Sequence, residues 1–290
     1  MAKAKTRKAR VTKGKRAVNP AFAKAPGART PASKLVHVYG NEFVCDTDSR
    51  GFPTPRDRSI AEIVVDASEG FVPLWAKDTT LRWRFREASL KVFANPAKAA
   101  TEIRKLLGDA LIAWADATPV KFAERNDLWD FEIVVQNGDN CTASGCVLAS
   151  AFFPDAGRHE LKIFPKMFQQ DRKEQVETLV HEIGHVFGLR HFFAQISEKT
   201  WRSEIFGTHK PFSIMNYGAK STLTAADKSD LKRLYQKVWS GQLTHINGTP
   251  IKLVKPFHTI GSSPGPGPVF VPQLMEPSAI ELVKPKDRRG

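Results

Sequence analysis

Three histidines and one glutamate lie within residues 181–191 at spacings that suit a catalytic metal. His181 and His185 are four residues apart, so on a helix both rings project from one face and can reach the same ion. Gly188 follows Phe187, the last apolar helical position, and a glycine there can adopt the left-handed conformation that ends a helix. The chain can then turn back and supply His191 as a third ligand. Three protein ligands leave one position open for water, as catalytic zinc requires.

The glutamate of this stretch is placed to act on that water. Glu182 follows His181 and can lean over the metal without binding it. Because zinc lowers the pKa of bound water to about 7, Glu182 is the natural general base. A bare HExxH pattern also occurs in ordinary helices with hydrogen-bonded histidines. Here five of eleven positions carry a required residue, and the probability of a chance match is on the order of one in ten thousand.

The motif is predicted to lie on an amphipathic helix. Val176, Val180, Ile183 and Phe187 recur at helical spacing and would bury one face. Asp171 is the predicted cap at the start of this helix.

Other elements are predicted upstream of this helix. The first strand covers residues 80–85, and a long helix over 97–116 ends before Thr118-Pro119. Further strands are predicted at 120–122, 131–135, 147–153 and 160–164.

The extended pattern HExxHxxGxxH, followed by Ser213-Ile214-Met215-Asn216-Tyr217, resembles the zinc signature and Met-turn of the metzincin metallopeptidases. The resemblance covers about residues 74–240. It implies an α+β fold: a twisted five-stranded mixed sheet with two long helices, then a smaller C-terminal subdomain with the Met-turn and one helix. That last helix would span 225–239, with Thr224 as its cap.

The resemblance also implies a function. The implied function is that of a zinc endopeptidase, which hydrolyses peptide bonds in proteins. One Zn²⁺ would be held by His181, His185 and His191, and Glu182 would be the general base. Tyr217 would stabilise the oxyanion, as in astacins and serralysins; the alternative is a packed core tyrosine.

Further residues receive roles by the same resemblance. Met215 would form an apolar floor beneath the zinc ligands, and Gly188 would support the turn. An extended substrate would pair with the fourth strand, which is the antiparallel edge strand of such sheets. Its residues are Val147, Ala149, Ser150 and Ala151.

Three departures set the chain apart from standard subfamilies. Ser150 stands where matrixins have a histidine for a second, structural zinc, and the calcium loops of matrixins are missing. Phe192 stands where astacins have a glutamate. We therefore expect one zinc and no built-in calcium.

The three cysteines do not form a disulfide framework. Cys141 and Cys146 could pair across a tight loop or stay as free thiols. Cys45 could occupy the open zinc position and keep the enzyme latent, as a pro-segment cysteine does in matrixins; the alternative is a free thiol.

The remaining histidines lack metal spacing. His209 is predicted to be a loop residue, although it could replace His191 as a ligand. The others are predicted to lie on the surface: His37, His159, His245 and His258.

Charge is distributed unevenly along the 290 residues. The formal net charge is +14, of which the seven Lys and four Arg of residues 1–34 contribute +11, so the remainder carries +3. Residues 1–40 are predicted to be a disordered basic arm. A lead or pro-like segment (41–73), the metallopeptidase domain (74–240) and a Pro/Gly-rich extension (241–290) follow.

Partners and location are less constrained. The substrate would be a protein or peptide, and nucleic acid could bind through residues 1–34. The sequence contains no run of 18 apolar residues, so we expect no membrane span. We also expect a monomer. No secretory signal pattern is visible, so both non-standard secretion and an intracellular location stay open. Two alternative functions remain: a non-proteolytic zinc-binding interaction domain, and a nucleic-acid-associated protein acting through its basic arm.

Overall fold

The computed structural model describes residues 19–23, 63–66, 70–142, 145–191, 203–206, 213–215 and 221–260. Its α-helices are α1 (Pro96–Trp114), α2 (Arg172–Val186) and α3 (Ala225–Trp239). Its strands are β1 (Ile63–Asp66), β2 (Val72–Trp75), β3 (Thr80–Phe85), β4 (Lys121–Glu124), β5 (Phe131–Val135), β6 (Asn140–Thr142), β7 (Gly145–Val147), β8 (Ala149–Ser150), β9 (His159–Ile163), β10 (Leu189–Arg190), β11 (Ser203–Phe206), β12 (His245–Ile246) and β13 (Thr249–Val254).

The central sheet has five strands in the order β4-β3-β5-β9-β8. Neighbouring strands are parallel, except that β8 runs antiparallel to β9 at one edge. Successive side chains of a strand point to opposite faces, and in β3 only Leu81, Trp83 and Phe85 are buried. These side chains share one core with the buried faces of α1 and α2. The mixed sheet and its packed helices fit the expected α+β class.

The helix ends follow their local sequences. α1 ends two residues before the predicted position, because Ala115 has a φ of 51° and a short 3₁₀ turn, Ala115–Ala117, follows. The predicted cap of α2 is confirmed: the Asp171 carboxylate accepts the Glu174 backbone N–H at 2.9 Å, and Glu174 accepts the Asp171 N–H at 3.2 Å. Thr224 caps α3 as predicted.

The predicted fourth strand over 147–153 is wrong in its extent. Val147 belongs to β7, which pairs with β6 in a hairpin, and only Ala149 and Ser150 pair with β9. Ala151 lies outside any strand. Phe152 is buried against Phe131, with ring centroids 5.3 Å apart, so the apolar run indicates burial rather than a continuous ladder.

Segments on either side of the predicted 74–240 domain pack against it. β13 pairs in parallel with β2, after a hairpin turn at Asn247-Gly248 whose φ angles of 48° and 86° are those that Asn-Gly favours in two-residue hairpin turns. Phe22, inside the predicted basic arm, is buried against Phe93 and Phe168. Residues 19–23 of that arm are therefore folded onto the domain.

Candidate metal centre

Helix α2 presents two of the predicted ligands on one buried face. His181 and His185 both have no exposed surface. The helix leads into Gly188, whose φ of 89° lies in the left-handed region. A Cβ at that position would lie 3.1 Å from Leu74 Cδ2 and 3.3 Å from the Pro73 carbonyl, so both conformation and close packing favour glycine.

The chain returns to the helix directly after this turn. Residues Leu189 and Arg190 form β10, which pairs with β1. This pairing brings His191, also fully buried, back to the two helical histidines. The structure therefore brings together the three residues predicted to be metal ligands.

The three imidazoles converge through their Nε2 atoms. The Nε2 of His181 lies 3.0 Å from that of His191 and 3.2 Å from that of His185. Zn–N bonds of about 2.0–2.1 Å in a tetrahedral site place ligand nitrogens roughly 3.3 Å apart. The spacing fits one zinc ion.

Backbone carbonyls fix the tautomers of the two helical histidines. The Nδ1 of His181 lies 2.8 Å from the Ile214 carbonyl oxygen, and the Nδ1 of His185 lies 2.7 Å from the Leu189 carbonyl oxygen. Since a carbonyl can only accept, each Nδ1 carries the proton and each Nε2 keeps its lone pair for a metal. The Nε2 lone pairs of His181 and His185 are therefore available to bind a cation such as Zn²⁺.

Glu182, the predicted general base, is 2% exposed on the same helix. A general base must lie within hydrogen-bond reach of the water that it deprotonates, and Glu182 follows His181 directly on this helix.

The described part of the predicted Met-turn, residues 213–215, packs beneath α2. Met215 is 4% exposed, and a Cβ added at Gly184 would lie 2.5 Å from its Sδ. The glycine thus permits the close approach of the helix and this turn. Tyr217 lies outside the described residues, as do Cys45, Phe192 and His209.

Two aromatic residues that the sequence patterns did not single out hold the end of α2. Trp75 donates its indole N–H to the Val186 carbonyl at 2.7 Å, and Tyr235 donates its hydroxyl to the Phe187 carbonyl at 3.1 Å. Burial raises the pKa of the Tyr235 hydroxyl far above its ordinary value. A buried Trp or Tyr usually needs a polar partner, and this general rule was the only sequence signal for these two hydrogen bonds.

The predicted substrate strand lies at the edge of the sheet next to a disulfide-bonded hairpin. Cys141 and Cys146 stand opposite each other in β6 and β7 and form a disulfide, with sulfurs 2.09 Å apart. The sequence had left this pairing open. Ser150, which is predicted to stand where matrixins have a histidine, is buried in β8.

Two of the four histidines predicted to lie on the surface are partly buried, and His37 lies outside the described residues. The side chain of His258 is 11% exposed, and its Nδ1 lies 2.8 Å from the buried carboxylate of Asp130. The reason is that the segment after β13 folds back over the central sheet, where the His258 backbone N–H also donates to Asp130 at 2.8 Å. His159 is half-buried and stacks on Phe152, whereas His245 is exposed as predicted.

The chain is similar to proteins of known family. The family model for matrixins matches residues 74–202. Metalloendoproteinase 4-MMP of Arabidopsis thaliana is 33% identical over 135 residues, covering 41% of this chain and 38% of that protein. Stromelysin-3 of Rattus norvegicus is 27% identical over 180 residues, covering 58% and 34%, and human stromelysin-3 is 26% identical over 170 residues, covering 54% and 32%.

The alignments span about a third of the length of these relatives. Among the helices of the described residues, none has the length and apolar composition of a membrane span. The matched region contains α2 and all three converging histidines. Residues 74–202 are therefore similar to the matrixin domain of metalloendoproteinases, which is of the metzincin type.

Proposed function

We propose that this protein is a zinc-dependent endopeptidase that hydrolyses peptide bonds in proteins. The observation that carries the proposal is the buried cluster of His181, His185 and His191, with Glu182 on the same helix. When bound there, Zn²⁺ would supply a Lewis acid and lower the pKa of a water to about 7. The family match and the metalloendoproteinase relatives support this function.

The protein side chains carry out the remaining work. Glu182 accepts the proton of the attacking water and passes it to the amine that leaves. Tyr217 donates a hydrogen bond to the oxyanion that develops on the former carbonyl oxygen. The carbonyls of Ile214 and Leu189 keep the rings of His181 and His185 in place, because each accepts an Nδ1–H.

The substrate would bind as an extended strand against β8. Ala149 and Ser150 pair on one side with β9, and β8 is the last strand of the sheet. Main-chain hydrogen bonds to such an edge bind peptides with little dependence on sequence. Val147 and Ala151 flank this two-residue strand and would extend the contact.

The proposal is tested by digestion of a broad peptide library, with cleavage sites read by mass spectrometry. Wild-type protein should cleave a defined set of bonds, lose this activity with a chelator and regain it with Zn²⁺. Glu182→Ala should abolish the same cleavages, whereas Glu177→Ala, earlier on the same helix, should retain them. An intact library after wild-type digestion, with zinc bound, would instead favour a zinc-binding interaction domain.

A role in nucleic-acid association needs a separate measurement. Residues 1–34 carry +11, and such an arm would bind DNA or RNA with a strong salt dependence. Binding that disappears when these residues are deleted would support the role and is compatible with peptidase activity.

A further inference from the structure

A buried carboxylate at the start of α3 has one oxygen more than its cap requires. Asp227 is 4% exposed, and its Oδ2 accepts the backbone N–H and the hydroxyl of Thr224, both at 2.8 Å. The Thr224 hydroxyl oxygen in turn accepts the Asp227 N–H at 3.1 Å. These bonds complete the capping box. The Oδ1 of Asp227 is left for another partner.

That partner is Ser213, at the start of the turn beneath the metal centre. Its hydroxyl donates to Asp227 Oδ1 at 2.6 Å, which is within the range of a hydrogen bond to a charged acceptor. The same hydroxyl oxygen accepts the backbone N–H of Met215 at 3.2 Å. One side chain therefore joins the start of α3 to the backbone of residues 213–215.

The turn held in this way contacts a predicted metal ligand. Ile214, between the two bonded residues, offers its carbonyl oxygen to His181 Nδ1 at 2.8 Å. The position of that carbonyl sets the direction in which the opposite ring nitrogen, Nε2, points.

We propose that Asp227 is a positioning residue for the metal centre, acting through Ser213 and the Ile214 carbonyl on His181. The inference rests on the zinc site of the proposed function. Burying a carboxylate is unfavourable unless it is hydrogen-bonded, and here both oxygens of Asp227 are used: one for the helix and one for the turn. The capping box of α3 thus also supports a ligand on α2.

Two single substitutions separate the two roles of Asp227. Ser213→Ala removes the link to the turn and leaves both capping-box residues in place. Thr224→Ala removes the capping side chain and leaves the Asp227–Ser213 bond. The matched control is Asp230→Asn, since Asp230 is a similarly buried carboxylate (5%) on the same helix, with Arg233 as an ion-pair partner.

The readouts are the Kd for Zn²⁺ by chelator competition, the visible absorption of the Co²⁺-substituted protein, and the Tm of the metal-free protein. Ser213→Ala should raise the Kd about tenfold and change the Co²⁺ spectrum, as other substitutions of residues that orient metal ligands do. Thr224→Ala should lower the Tm by about 2–4 °C and leave the Kd within about twofold of wild type. Asp230→Asn should also leave the Kd within that range.

A wild-type Kd in Ser213→Ala would overturn the inference. So would a Kd in Thr224→Ala that rises as much as in Ser213→Ala, because the effect would then follow stability rather than positioning. Wild-type protein that binds zinc but cleaves no peptide would refute the proposed function alone, since the affinities still decide the positioning role. Wild-type protein that binds no zinc would refute both.

Discussion

Gly184 of α2 lies against Met215 of the turn beneath the helix, and Gly184→Ala is predicted to separate α2 from that turn. A Cβ at this position would lie 2.5 Å from Met215 Sδ, 3.2 Å from Met215 Cε and 3.5 Å from Trp114. The first distance is at least 1 Å inside the roughly 3.5–4.0 Å of a normal contact. Because Met215 is 4% exposed, its side chain must displace packed neighbours in order to move.

Two opposing effects decide the sign of this substitution. Alanine is favoured over glycine inside a helix by about 1 kcal/mol. Overpacking a well-packed core costs about 1–3 kcal/mol, and the short Sδ distance places this case toward the upper end. We expect the free energy of unfolding to fall by about 2 kcal/mol, which lowers the Tm by roughly 4–8 °C. The Kd for Zn²⁺ should rise as well, because Gly184 lies between the ligands His181 and His185.

Gly108→Ala is the matched control. Gly108 also lies inside a helix, α1, and a Cβ there would meet nothing within 4 Å. This substitution should raise the free energy of unfolding by about 0.5–1 kcal/mol and leave zinc binding unchanged. Both proteins are compared by thermal or urea unfolding and by chelator competition.

A double-mutant cycle assigns the effect to the proposed contact. Met215→Ala should cost less stability in the Gly184→Ala background than in wild type, because the clash that it relieves exists only in that background. The reasoning would be refuted if Gly184→Ala stabilised the protein as much as Gly108→Ala does.

Three further predictions concern stability. Burial raises the pKa of Glu177, with the nearby Lys173 acting in the opposite direction, so the ionised form is less favourable in the folded protein. Below its unfolded pKa of about 4.3 this carboxyl is protonated and costs no stability, whereas stability is lost as the pH rises through its higher folded pKa. Glu177→Gln should therefore raise the Tm at pH 7. An equal rise in Tm at pH 4 would contradict this. His258→Ala should lower the free energy of unfolding by about 1–3 kcal/mol, because it removes a partner of the buried Asp130 carboxylate. His245 is exposed, and His245→Ala should change the free energy of unfolding by less than about 0.5 kcal/mol. Urea unfolding measures both. Chelation should lower the Tm in calorimetry, since free zinc at about 1,000 times its Kd stabilises the folded state by about 4 kcal/mol; an unchanged Tm would argue against zinc bound in the folded state.

Features that depend on a few neighbouring residues could be predicted from the sequence. The spacing of His181 and His185 and the caps at Asp171 and Thr224 each follow from local conformational rules. The structure places each of them where its local pattern predicts.

Features that join distant parts of the chain could not be predicted in this way. The Trp75 backbone N–H donates to the Tyr235 hydroxyl, 160 residues away in the chain, and the His258 N–H donates to Asp130, 128 residues away. No periodicity links such pairs, because folding topology alone brings them together. The same limit explains why His258 was expected on the surface.

The predicted strand over 147–153 shows a different limit. An apolar run indicates burial, but it does not distinguish a strand from a buried loop. β7 belongs to the disulfide-bonded hairpin, β8 belongs to the central sheet, and Phe152 contributes to the core from outside any strand. One apolar run therefore serves three different structural purposes.

The central claim is tested most directly by the rate of peptide hydrolysis per bound zinc, compared between Glu182→Ala and wild-type protein. The peptide is one that the wild-type protein cleaves, and zinc content is measured on the same samples. We predict about one zinc per chain in both proteins and a rate at least about 100-fold lower in the variant, as the loss of a general base requires. Equal rates per zinc, or equal activity in zinc-free wild-type protein, would contradict the account.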